Sequence, residues 1–144
     1  MGSLSFTNVC GSAIGISYLK INDTILIEKS KPSEYPEVKN KILEIPDKNS
    51  TIFSYDNKSW NDFSRIWLSI EVGGDTYSID LNRDHYFYGG DYRYPGEGSA
   101  IVYIFSGFSE DNSMVQLSQG YAKAGDNNMF YSNDLKYLNK TAAT

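Results

Sequence analysis

A chain of 144 residues with a formal charge of −5 sits at the commonest domain size and can bury one hydrophobic core. Its lysines at 29, 31, 39 and 41 are interleaved with Glu34, Glu37 and Glu44, which reads as a solvated face. The basic stripe that a nucleic-acid partner needs is therefore missing. The aromatic share is 15%, with 12 Tyr, 7 Phe and 2 Trp, and Ser, Asn, Asp and Gly are plentiful, the composition of a turn-rich β-protein.

Taken in chain order, Leu4–Phe6 opens a first strand, and Cys10, the lone cysteine, reads as a small buried hydrophobe. Without a second cysteine no internal disulfide forms. Ile14–Ile21 and Thr24–Glu28 flank an Asn22-Asp23 turn, and the prolines at 32 and 36 mark Lys29–Val38 as a loop. Lys41–Ile45 and Thr51–Tyr55 are strands on either side of a turn over Pro46–Ser50. The clearest signal follows. Ile66, Leu68, Ile70 and Val72 alternate with Trp67, Ser69 and Glu71, the period of a half-buried strand. Beyond Gly73-Gly74-Asp75 the same alternation resumes at Tyr77, Ile79 and Leu81, so the two runs form a hairpin.

Ala100–Ser106 is apolar on both parities and reads as a central strand covered on both faces. Met114–Leu117 is a further short strand, and Gly120–Asn133, rich in Gly, Asn and Asp, reads as a surface wrap. Helix is expected only at the end, where Leu135 and Leu138 lie one turn apart after an Asn133-Asp134 cap. The expectation is one all-β domain over residues 1–144, a single antiparallel β-sandwich with little helix.

Asp84–Gly96 is the unusual stretch, with five aromatics, the only His, one Arg, two Asp and three Gly. Tyr rings can stack on the apolar face of a sugar while Asp and Arg bond its hydroxyls. The same rings can insert at lipid-headgroup level. A third reading makes Tyr86, Tyr88, Tyr92 and Tyr94 an ordinary strand pair, half of them in the core. The candidate ligand-binding set is His85, Tyr86, Tyr88, Asp91, Tyr92, Arg93 and Tyr94. No nucleophile elbow, phosphate loop or His-rich metal spacing occurs, so no catalytic residue, metal or cofactor is assigned, and the expectation is a non-enzymatic protein. Asp56–Asp62 lacks the Gly and distal Glu of a calcium loop, and Glu110–Asn112 and Asp126–Asn128 offer oxygen ligands only loosely. Four Asn-x-Ser/Thr triplets, at Asn22, Asn49, Asn57 and Asn139, match the glycosylation acceptor pattern in an Asn-rich chain.

From Ile45 to Phe105 the order of features resembles the actinoporin-like β-sandwich proteins, which include the aegerolysins. Ile45–Asp56 is similar to their strand after a Pro-containing turn, the hairpin over Ile66–Leu81 follows, and an aromatic loop leads into another strand. The resemblance implies a small lipid-binding protein or a cytolysin or toxin component, with Tyr86, Phe87, Tyr88, Tyr92 and Tyr94 as the lipid-contacting aromatics. Trp60 and Trp67 lie outside that loop, and no long amphipathic N-terminal helix is present, so pore formation by this chain alone is not implied.

The partner expected is a membrane lipid or a glycan, with a soluble lectin, or a crystal or coat protein assembling with copies of itself or a partner protein, as alternatives. No signal-peptide-like or membrane-spanning run occurs in the sequence. The location is left open between the cytoplasm, export by a non-classical route, and the mature form of a processed protein.

Overall fold

A computed structural model of the chain describes residues 2–29, 31, 42–55, 65–81, 100–122, 130–131 and 135–141. Their regular structure is entirely β. The strands are β1 (Gly2–Asn8), β2 (Ile14–Ile21), β3 (Thr24–Glu28), β4 (Leu43–Ile45), β5 (Asn49–Tyr55), β6 (Ile66–Val72), β7 (Asp75–Leu81), β8 (Ala100–Phe108), β9 (Met114–Ala122), β10 (Phe130–Tyr131) and β11 (Lys136–Lys140). They form one sheet in the order β3-β2-β6-β7-β11-β9-β8-β1-β5, with β10 on β9 and β4 on β2.

Alternation builds the core. β6 turns Ile66, Leu68 and Ile70 inward, and β8 turns Ile101, Tyr103 and Phe105 inward to meet Leu4 and Phe6 of β1. The Phe6 ring stacks at 5.9 Å on Tyr103 and at 6.2 Å on Phe105. Both hairpin turns fall where expected. Val72 pairs with Asp75 across Gly73 (φ +59) and Gly74 (φ +93), left-handed geometry that a β-carbon would oppose. Ile21 pairs with Thr24 across Asn22 (φ 53) and Asp23.

The sheet curls because β1 and β2 are one length of chain turned at a corner. β2 stands second from one end of the strand order and β1 second from the other, and residues 9–13 join the two. β4 and β5 turn beside them, with Asn49 opposite Asn8 and Ile45 opposite Ile14. Fully buried Asn8 pins the corner. Its Nδ2 donates to the carbonyls of Ser12 (2.7 Å) and Ile45 (3.0 Å), its Oδ1 accepts from Cys10 N (3.0 Å), and its carbonyl accepts from Lys48 N (2.7 Å). The result is a half-barrel around one inner face.

Several expectations are corrected. The sheet is mixed, since β1 pairs with β8 in parallel (Ser3 opposite Ala100, Asn8 opposite Phe105), and one continuous curled sheet stands where an antiparallel sandwich was expected. The expected terminal helix is β11, with Leu138 buried opposite Val115 and Leu135 exposed. β8 is central, between β9 and β1, but only its inner parity is fully covered; Val102 and Ile104 are half-buried. Gly120–Ala122 extend β9, and Phe130–Tyr131 pair back onto it, where a surface wrap was expected. Cys10 is half-buried, with its Sγ 3.5 Å from the Ser12 carbonyl.

Gly2 pairs with Tyr55, Ile66 with Leu81, and Ala100 with Ala122, so β5, β7 and β9 end, and β6 and β8 begin, at one rim. The chain leaves and re-enters the sheet there.

Candidate functional site

β6 has a clean inward parity, and its outward parity carries the residues of interest. Trp67, Ser69 and Glu71 stand on the outer face of the sheet. Register places Trp67 between Lys20 of β2 and Asp80 of β7, Ser69 between Tyr18 and Ser78, and Glu71 opposite Thr76. The middle of this face is built from small residues. Ser69 and Ser78 join their hydroxyls at 2.7 Å, and larger side chains stand around them. The hollow that results has a volume of about 440 Å³ and is walled by Tyr18, Trp67, Glu28, Lys29, Glu71 and Thr76. That volume is within the range of small-molecule sites, roughly 300–1,000 Å³.

Two aromatic rings form one end. Tyr18 and Trp67 meet edge to face, their centroids 5.8 Å apart and their planes at 62°. The Trp67 side chain, 40% exposed, is braced from beyond the groove. The Arg65 guanidinium lies 5.7 Å from its ring centroid and is held by Asp80 in a two-pronged bond, Nε to Oδ1 at 2.9 Å and Nη2 to Oδ2 at 2.6 Å. The Asp80 bond, then its charge, raises the Arg65 pKa. The rest of the wall is polar. Lys29 pairs with Glu71 at 2.5 Å, Lys31 pairs with Glu28 at 3.4 Å, and Thr141 hydrogen-bonds the Thr76 carbonyl through its N–H and hydroxyl. The surface therefore joins an apolar, ring-lined end to a floor of hydroxyls and an ionic wall.

A second hollow, of about 370 Å³, lies by the corner among Ala13, Ile14, Gly15, Ile42, Glu44 and Pro46. Among the described residues its lining offers no aromatic ring to a ligand, and the carboxylates of Glu44 and Glu71 join aliphatic side chains and backbone there. A β-carbon on Gly15 would stand 2.6 Å from Ile42 Cγ2, so a larger residue there forces one of the two to shift.

The sequence-derived set, His85, Tyr86, Tyr88, Asp91, Tyr92, Arg93 and Tyr94, lies outside the described residues, as do Asp56–Asp62 and Asp126–Asn128. What is described is where that stretch departs: the chain leaves β7 at Leu81, opposite Ile66 and next to the Asp80–Trp67 pair. Asp111 sits in a tight turn with its Oδ1 accepting from Ser113 Oγ (2.6 Å), Ser109 Oγ (2.9 Å) and Ser113 N (3.0 Å). These bonds, the Ser113 hydroxyl first, lower its pKa to about 2.

Sequence reading placed Trp67 and Ser69 on the outward parity but did not join them to Tyr18 or Ser78. A large aromatic on the solvent parity of a strand is the signal that marks the groove. No family model, curated protein or solved structure matches the chain.

Proposed function

We propose that this chain is a non-enzymatic recognition protein that binds a glycan in the Tyr18–Trp67 groove. The observation that carries the reading is the hollow itself, with two aromatic rings at one end and the Ser69–Ser78 hydroxyl pair at its floor. A pyranose has an apolar C–H face and a hydroxyl rim. The exposed Trp67 ring offers a stacking surface to the first, and the serines, Thr76 and Glu71 offer donors and acceptors to the second. Binding rather than reaction is supported by the carboxylates of the groove, which are each engaged by a lysine, Glu71 by Lys29 and Glu28 by Lys31.

A second reading, membrane lipid headgroup recognition through the aromatic stretch His85–Tyr94, has one observation in its favour. The chain leaves β7 at Leu81, beside the Asp80–Trp67 pair at the rim end of the groove, four residues before His85 in sequence. A glycan array run beside sedimentation with vesicles separates the two. Glycan binding lost on Trp67→Ala supports the groove. Vesicle binding lost on Tyr88→Ala/Tyr92→Ala, with no glycan bound, supports the lipid reading and sinks the first.

A further inference from the structure

The two edges of the sheet differ in how they meet solvent. A free edge strand presents unpaired N–H and C=O groups to any extended chain, and proteins usually blunt such edges with short strands, charges or proline. The β3 edge is blunted: it is five residues long, ends in Glu28 and runs directly into Lys29. The β5 edge is not. It is seven residues long, Asn-Ser-Thr-Ile-Phe-Ser-Tyr, with neither charge nor proline, and among the described residues it pairs only with β1. Ile52, in its middle, is 64% exposed, the most exposed large apolar residue of the described chain.

The outer face beside β5 continues the pattern. Ser50 and Ile52 of β5, Ser5 and Thr7 of β1, Val102, Ile104 and Ser106 of β8, and Gln116 and Ser118 of β9 share that face by register, and none is charged. The outer face of the other half carries Lys20, Arg65, Glu71 and Asp80. A formal charge of −5 opposes association of two copies, and that opposition is least where they meet through uncharged surface. The β5 edge and its flanking face offer such a place.

We infer that β5 is the self-association edge of this protein, pairing antiparallel with β5 of a second copy about a two-fold axis at Ile52. An isologous contact of this kind sets Ile52 against Ile52 and Ser50 against residue 54, and the edge groups of each strand gain partners. The dimer continues the sheet from one copy into the next. It also carries two copies of the groove, although the inference does not depend on what the groove binds.

The test is the mass of the full chain in solution across a dilution series, by light scattering and sedimentation. Wild type is expected to move from twice the 16.2 kDa chain mass to the chain mass as it is diluted. Ile52→Lys and Ile52→Glu, exposed substitutions that leave the core intact, are each expected to stay at the chain mass with an unchanged thermal melt. Mixed in equal amounts, they are expected to restore the doubled mass, because the axis sets Lys against Glu. A wild type that stays at the chain mass throughout overturns the inference. So does a dimer that survives both single variants, or a mixture that fails to associate.

Discussion

Ser69 and Ser78 face each other across β6 and β7 with their hydroxyls 2.7 Å apart, and their small size leaves the hollow that Tyr18, Trp67 and Glu71 surround. Filling that hollow is the simplest perturbation of the site. Ser78→Leu is expected to cost about 1 kcal/mol of stability, the worth of one side-chain hydrogen bond. Glycan binding should disappear. Thermal melts and titration of the same preparation read both outcomes, and retained binding would place the ligand elsewhere.

Gly15 and Ile42 make a sharper stability test. A β-carbon at residue 15 would lie 2.6 Å from Ile42 Cγ2, well inside contact distance. Gly15→Ala is expected to cost about 1–3 kcal/mol, as overpacking does. Ile42→Ala removes the clashing methyl, so the double variant should lose less than the sum of the single losses, and a double-mutant cycle in denaturant measures the coupling. Strict additivity would mean that the strain is relieved elsewhere.

Leu68 is 1% exposed and faces the interior between Leu19 and Ile79, so Leu68→Ala should cost about 2–5 kcal/mol. Ile79 is only half-buried at the margin of the same core, and Ile79→Ala should cost clearly less. Denaturant midpoints order the two. An equal loss would place Ile79 deeper than the structure does.

Asp111 links the turn between β8 and β9 to pH. Its pKa falls from 3.8 to about 2 in the folded chain because the Ser113 hydroxyl, the Ser113 N–H and the Ser109 hydroxyl all donate to it. A depressed carboxylate stabilises the fold above its unfolded pKa, and the contribution is lost as pH falls through the folded value. Asp111→Asn should therefore melt lower than wild type at neutral pH, and the gap should close as pH drops from about 4 to about 2. A gap that stays constant over that window would assign the effect to shape rather than charge.

The hairpins and the inner rows were legible in the sequence because one-sided burial writes a period of two directly into the chain, as in Ile66, Leu68 and Ile70. The parallel pairing of β1 with β8 left no such trace, since Ser3 and Ala100 meet across most of the chain and neither residue records its partner. β11 was misread for a related reason. Only Leu138 of Lys136–Lys140 is buried, so its alternation is invisible, while the spacing of Leu135 and Leu138 imitates a helical turn. The groove was half legible. Trp67 and Ser69 were visible on the outward parity, but Tyr18, Ser78 and Thr141 join them only through strand order, which local pattern does not encode.

The central claim is that the exposed ring of Trp67 is a ligand platform. The most direct measurement compares the affinity of wild type and Trp67→Ala for the strongest binder from a glycan array, with melting temperature recorded on the same samples. A ring that loses water only in the complex should cost about 2 kcal/mol of binding when truncated, roughly thirtyfold in affinity. The fold should survive, since Trp67 is 40% exposed and sits outside the core. Unchanged affinity in Trp67→Ala would contradict the account, as would the absence of any glycan that wild type binds.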